Sequence, residues 1–384
     1  VSLVFINYPL ETFTPTSSGA LATTIHECCR VAAREGIRPT VLSRRSQEAS
    51  FDWDNLHLID YADPPTGGLK LLHARAERKL LQHRHFGYRL FLGRVVQTLK
   101  KQDLASRPLV LMNDPETAVH LRRHFPNAFI LHWFFNQMDA RPRYRDRFAA
   151  AVNVQAACSD FTSRYVAEYY GLHAQRQPVH TLYIAADNQA YHPAERPPEG
   201  LPILNFVGRT GPEKAPDLFL RAGLRLAKRT KAFRMQLLGS NHWGRLEMND
   251  YQRMLSALAE ELEGTGIEVR RPGHISRPDL PAELRKAHIH VTTSRWDEPF
   301  GLVTVEGMAT GLAAIGSRTG GTPEIIGEDG LLFERDSEEE LEDHMFRFVT
   351  DEALRIEYGK RARARVLQFN WERTWGDLKR LTGI

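Results

Sequence analysis

Residues 295–321 read RWDEPFGLVTVEGMATGLAAIGSRTGG, with seven residues between Glu298 and Glu306. Pro299 and Gly301 argue for a turn, and the run Leu302 to Ala309 for a short helix that ends at Gly311. Such a helix would open with free backbone N–H groups and partial positive charge, which suit an anion. Glu306, one turn in, would point toward the same crevice and accept hydrogen bonds from a vicinal diol. LAAIGS then reads as a buried strand, and RTGG as a loop before a helix start at Thr322–Pro323. Gly320 and Gly321 in that loop would allow close backbone approach to phosphate or sugar oxygens.

The same alternation continues on either side. LPILNFV, FRMQLLGS, IEVRRPGH and HIHVTTS read as strands, separated by the helical stretches DLFLRAGLRLAKR, NDYQRMLSALAEELEG and PDLPAELRKA. GRTGPEKAP follows the first of these strands and carries Gly208, Arg209 and Lys214, two cations placed to neutralise a diphosphate. Nearer the start, VSLVFIN and GIRPTVLS read as strands around a helix from Gly19 to Arg34, where Leu21, Ile25, Cys28, Cys29 and Ala32 recur at helical spacing. RPLVLMND, NAFILHWF and VNVQAACSD add three more strands. His132 is expected just past the apolar part of the second of them, at a carboxyl end where ligands of open α/β sheets gather. A lone histidine there is more often structural. The loop-rich HTLYIAADNQAYHPAERPPEG divides the two alternations and suits a linker. The fold class is therefore α/β, with two Rossmann-like domains.

The first loop lacks the GxGxxG fingerprint, having only Gly19, so a nicotinamide-binding domain is disfavoured. At 384 residues with 42% hydrophobic and 26% charged residues, the chain suits two ordinary domains. No apolar run is long enough to span a membrane, and SLVFIN lacks the basic n-region of a signal peptide, so a cytoplasmic protein is expected. Cys28, Cys29 and Cys158 form no disulfide framework, and the histidines lack ligand spacing, so no metal is expected. The net charge of +4 is uneven: residues 1–195 hold 23 Lys/Arg against 18 Asp/Glu. Residues 69–101 alone hold nine Lys/Arg and one acid, Glu77. Two readings of that stretch stand open: helices with solvated basic faces, or a basic surface for an anionic acceptor or an anionic membrane face. Nucleic acid is disfavoured, since no binding motif accompanies the charge.

The segment from PGHISRPDLPAEL to IIGEDGLLF resembles the family-four retaining glycosyltransferases of the GT-B fold, and the likeness extends more thinly over most of the chain. The resemblance implies two Rossmann-like domains facing each other across a deep cleft. Residues 1–188 with a tail helix at about 370–384 would bind the acceptor, and residues 189–369 the nucleotide-sugar donor. It places Glu298, Pro299, Phe300, Gly301, Leu302 and Val303 near the donor sugar and phosphates, and Glu306 on the ribose. Arg209 and Lys214 would meet the diphosphate, with Gly208 beside them, and the loop of Gly273, His274 and Ile275 the nucleobase. Ser18 and Gly19 stand in the family's glycine-rich first loop. His132 falls where many members carry a histidine close to the reacting sugar. FNWERTWGDL resembles the family's tail helix, with Trp371 as its anchor. Arg209, Lys214, Glu298 and His132 are thus the catalytic expectations.

The implied reaction moves a hexose-type sugar from a UDP- or GDP-sugar to a hydroxyl of a glycan, lipid-linked or small-molecule acceptor, with retention and without a cofactor. An anionic acceptor suits the basic stretches 69–101 and 141–147, as in polysaccharide assembly, and the first of these would also suit peripheral contact with the inner face of a membrane. A non-catalytic nucleotide-sugar-binding partner of a larger synthase, or a same-fold epimerase or phosphorylase, are the rival readings.

Overall fold

The computed structural model describes residues 2–16, 19–61, 86–137, 142–170, 178–196, 198–241 and 248–384. It divides into two compact units: residues 1–158, 162–183 and 372–384 form the first, and 159–161 and 184–371 the second. The sequence places the boundary at 188; the structural division falls at Tyr183/Ile184, and Ser159–Phe161 counts with the second unit.

The first unit begins β1 (Val4–Ile6), α1 (Ala20–Arg34), β2 (Thr40–Arg44) and β3 (Leu56–Ile59). It continues with α2 (Phe86–Lys101), β4 (Leu109–Met112), α3 (Pro115–His124), β5 (Ile130–Phe134), α4 (Pro142–Ala151), β6 (Val154–Ala157), α5 (Asp160–Tyr169) and β7 (Val179–Thr181). The seven strands form one parallel sheet in the order β3-β2-β1-β4-β5-β6-β7. Strands covered on both faces read as continuous apolar runs, and VFI and LVLM are buried throughout. In α1 the periodic residues Leu21, Ile25, Cys28, Cys29 and Ala32 are all buried. Asp114 caps α3 through the Thr117 N–H, and Pro115 occupies its first turn.

On α2, Tyr88, Phe91, Leu92, Val95, Val96 and Leu99 pack into the core, while Arg89, Arg94, Lys100 and Lys101 are exposed. Residues 86–101 are thus a core-packed helix with an exposed basic face, which both readings require. Residues 69–85 lie outside the described residues.

The second unit comprises β8 (Ile203–Val207), α6 (Pro216–Arg229), β9 (Arg234–Leu238), α7 (Asp250–Gly264), β10 (Val269–Gly273), α8 (Leu280–Leu284) and β11 (Ile289–Thr292). It goes on through α9 (Leu302–Ala309), β12 (Ala313–Ser317), α10 (Thr322–Ile326), β13 (Leu331–Phe333), α11 (Glu338–Thr350) and α12 (Glu352–Val366). Its parallel sheet runs β10-β9-β8-β11-β12-β13. The strand order reverses between β8 and β11, and the carboxyl side of such a switch point is where open α/β sheets hold ligands. Asn249 and Ser337 cap α7 and α11.

The final helix, α13 (Trp371–Thr382), returns to the first unit from residue 372 onward. The anchor there is Trp375 rather than Trp371, which falls in the second unit. Trp375 is fully buried and its Nε1 donates to Glu35 at 3.1 Å, beside a 2.6 Å Lys379–Glu35 ion pair. Among the described residues, no helix is long and apolar enough to cross a membrane.

Candidate functional site

The loops after β8 and β11 meet at the switch point of the second unit. Lys214, from the first loop, places Nζ 2.5 Å from Oε2 of Glu298, from the second. The same carboxylate oxygen accepts from Ser294 Oγ at 2.9 Å and Trp296 Nε1 at 3.1 Å. Burial pushes the Glu298 carboxyl up, but the Lys214 charge and these hydrogen bonds outweigh it and hold the group below its usual range. The loops are further tied where Thr293 Oγ1 donates to the carbonyls of Lys214 and Ala215 at 2.9 and 2.8 Å. Lys214 is thus aimed before any ligand arrives.

Gly301, with φ +96°, sits in the left-handed region that favours glycine and turns the chain into α9. Leu302 and Val303, half-buried, form the first turn, whose N–H groups have no intrahelical acceptor. Pro299 and Phe300 are buried; the Phe300 ring packs edge-on against Phe369, so only its backbone is available to a ligand.

Glu306, inside α9, is fully buried. Its Oε1 takes a 2.6 Å ion pair from Arg277 Nη2 and its Oε2 has no hydrogen-bond partner among the described residues. Desolvation raises its pKa, opposed by Arg277 and by the Tyr191 hydroxyl. A buried acceptor oxygen without a donor is costly, and a ligand hydroxyl would relieve it. Arg277 lies in the loop after β10 that also holds exposed His274 and half-buried Ile275. Sequence reading singled out neither Arg277 nor Tyr191. An arginine in the polar loop SRPD and a tyrosine in a linker show no periodicity, and their signal is spatial convergence on Glu306.

Below α9 runs a buried polar chain. His290 Nδ1 lies 2.9 Å from Asn205 Oδ1, and its Nε2 lies 3.3 Å from Thr292 Oγ1, which is 2.9 Å from Thr304 Oγ1 in the first turn of α9. Burial lowers the His290 pKa to about 4, so the ring is neutral and can donate from one nitrogen and accept at the other.

Four placements differ from expectation. Arg209 is exposed and pairs with Glu213 at 3.0 Å, not with the Lys214–Glu298 pair. Gly320 and Gly321 do approach another backbone closely, but it is the chain's own. A Cβ on Gly320 would fall 2.2 Å from the Glu298 carbonyl oxygen, and the Gly321 N–H donates to that oxygen at 2.6 Å. The RTGG loop therefore braces the turn that carries Glu298. His132 lies in the middle of β5 instead of at its end, fully buried, its ring 4.2 Å from Phe134 and 5.1 Å from Phe148. Both its nitrogens lack hydrogen-bond partners among the described residues, and burial lowers its pKa to about 3. It is a neutral core residue with no surface to offer a substrate, because the apolar run continues two residues past it. Gly19 opens α1, but the Glu11 carboxylate already lies there, accepting from the Ala22 N–H at 2.8 Å. Ser18 lies outside the described residues. Gly208 immediately follows β8, its N–H bonded to the Leu238 carbonyl at 3.0 Å. Among the described residues no group of three His, Cys, Asp or Glu side chains could hold a metal.

Two parallel-sheet Rossmann-like domains, the second with ionic residues gathered at its switch point, define the GT-B class. Solved structures agree on the fold. A sucrose-phosphate synthase from Thermosynechococcus elongatus superposes with a TM-score of 0.77 at 18% identity, over 99% of this chain and 98% of its own. Anabaena Alr3699/HepE, solved in complex with UDP, gives 0.72 at 16% identity over 100% of both chains. Residues 187–365, within the second unit, match the family of glycosyl transferases group 1. A D-inositol 3-phosphate glycosyltransferase of Nocardioides sp. (strain ATCC BAA-499 / JS614) is 28% identical over 248 residues, 60% of this chain and 53% of the relative. The chain thus spans about half the length of that curated relative.

Proposed function

We propose that this chain transfers a hexose-type sugar from a UDP- or GDP-sugar to a hydroxyl of a glycan, lipid-linked or small-molecule acceptor, with retention and formation of an α-linkage. The observation that carries the reading is the pair of cation-paired glutamates on one turn and helix, half-buried Glu298 on Lys214 and fully buried Glu306 on Arg277, the second with an acceptor oxygen to spare. A structural neighbour supports a nucleotide donor: HepE was solved with UDP.

The barrier in such a transfer is charge separation, an anionic diphosphate leaving an oxocarbenium-like sugar. Fixed donors aimed at the developing charge lower it most. Lys214, held by Glu298, and the open N–H groups at the start of α9 fill that role. An incoming diphosphate competes with Glu298 for Lys214, which leaves the glutamate's hydrogen-bonding capacity to the sugar. Arg209 has only the exposed Glu213 pair to give up. Glu306 accepts the ribose diol through charge-assisted hydrogen bonds of about 1.5–3 kcal/mol each and takes no part in bond making. Glu298, tied to three donors, is poorly disposed to act as a nucleophile.

Titration of UDP and GDP, and of their sugars, into wild type and Glu306→Ala by calorimetry tests the reading. The variant should bind the preferred donor at least about tenfold more weakly, the loss of one such hydrogen bond. Unchanged affinity removes the ribose assignment. Product configuration by NMR decides the rest: a β-linked product from an α-donor refutes retention.

A further inference from the structure

The opposite end of the second unit's sheet holds a cavity of about 400 Å³. His288 and Leu312, which immediately precede β11 and β12, line its floor, and α12 forms one wall. The donor residues described above follow the strands, so this cavity is separate from them and its argument does not rest on the donor reading.

Every charged side chain lining the cavity is a cation: Arg285, Arg355, Lys360 and Arg363. None of the four forms an ion pair among the described residues, whereas Arg361 on the same helix pairs with Asp329 at 3.1 Å. The arginines are held by backbone carbonyls instead. Arg355 donates to Phe348 O at 2.7 Å, Arg363 to Ala309 O at 2.6 Å and Tyr191 O at 2.8 Å, and Arg285 to Ala190 O at 2.9 Å. Carbonyls fix the guanidinium planes but cancel no charge. Burial lowers the pKa of Arg355 and Arg363; Glu352 and Asp351 act on Arg355 only from a distance. Partly buried positive charge without a counter-charge is unfavourable and leaves an anion a strong gain.

Apart from His288 and Thr310 the rest of the lining is apolar, and it carries Ile356 and Leu367, which are 45% and 44% exposed. Large side chains so exposed at the rim of a concave site mark a contact surface. A simple inorganic anion would use the cations and leave this rim bare.

We propose that the cavity binds an amphiphilic anion, a phosphate monoester bearing an alkyl chain, with its head among Arg285, Arg355, Lys360 and Arg363 and its chain along Ile356 and Leu367. Such a ligand could reach it as a free amphiphile or as an anionic lipid in a bilayer.

The test is calorimetric titration of octyl phosphate, below its micellar concentration, into the full chain, with octyl glucoside and inorganic phosphate as comparators. Octyl phosphate should bind at least about tenfold more tightly than either comparator, and Lys360→Glu and Ile356→Asp should each weaken it about tenfold. Both positions are exposed, so the variants should fold, and an unchanged melting curve will confirm it. Co-sedimentation with phosphatidate-containing vesicles that is lost in Lys360→Glu assigns the membrane source. Octyl phosphate binding without sedimentation assigns a free amphiphile. Equal affinity for either comparator, insensitivity to both substitutions, or binding of neither octyl phosphate nor vesicles overturns the proposal.

Discussion

Lys214 and Glu298 are each other's main electrostatic partner, and this makes single substitutions at either position ambiguous. Lys214→Ala should lower turnover, but it also strands a buried carboxylate, which costs about 3 kcal/mol or more. The double variant Lys214→Ala with Glu298→Ala should regain part of that stability while remaining inactive. Thermal unfolding of the two single variants and the double variant closes the cycle, and strict additivity would show the pair to be uncoupled. At this scale the sequence was a good guide to which loops converge at the switch point and a poor one to how their side chains pair. The spacing of Glu298 and Glu306 and the cations of GRTGPEKAP were legible because they sit beside turn residues at strand ends. That Arg209 turns to Glu213 while Lys214 turns to Glu298 depends on side-chain geometry, which carries no sequence period. His132 shows the opposite failure: a polar residue in an apolar run invites a functional reading, yet the strand simply continues through Trp133 and Phe134.

Among the elements, the turn before α9 depends on a loop that does not join it in sequence. Gly320 sits at φ +55° with the Glu298 backbone where a Cβ would be. Gly320→Ala should therefore cost at least about 2 kcal/mol, from left-handed strain plus displacement of that turn, and should weaken donor binding by moving Glu298. Melting temperature and donor titration together check it; loss of one without the other would separate the brace from the site. The start of α1 carries a second dependence, on pH. Desolvation raises the Glu11 carboxyl from 4.5 to about 7. The folded state then binds more protons than the unfolded one between those values. The associated stability is fully present below about pH 4.5 and is lost as pH rises through about 7, on the order of 3 kcal/mol. Glu11→Gln should flatten the wild-type fall in melting temperature from pH 5 to pH 8, and an unaltered slope would assign it elsewhere. The strands and helices themselves were legible nearly throughout, because buried parallel strands and amphipathic helices have plain periods. What braces or caps them was not, since Glu11 meets Ala22 and Gly320 meets Glu298 only once the chain has folded.

At the scale of the whole molecule, the two sheets have the same open architecture but different use of their switch points. The second brings paired ions together between β8 and β11. In the first, α1 begins on a carboxylate of its own chain. Trp375 is the largest buried side chain of the tail that completes the first unit, and Trp375→Ala should cost about 3–5 kcal/mol of that unit's stability. Urea unfolding followed by far-UV circular dichroism should show an early transition for the variant, with the second unit's transition unmoved. A single shared transition shifted as a whole would mean that the units unfold together.

The path of α13 also bears on how the chain is made. Residues 372–382 belong to the first unit, yet the ribosome synthesises them after every residue of the second. The first unit therefore cannot settle in its final form as it emerges; it must wait, with the surface that receives Trp375 uncovered, while the other unit is translated and folds. Order of synthesis and order of completion are inverted. A nascent chain stalled before residue 371 should expose that surface to chaperones, and release of the tail should be the step that ends the exposure.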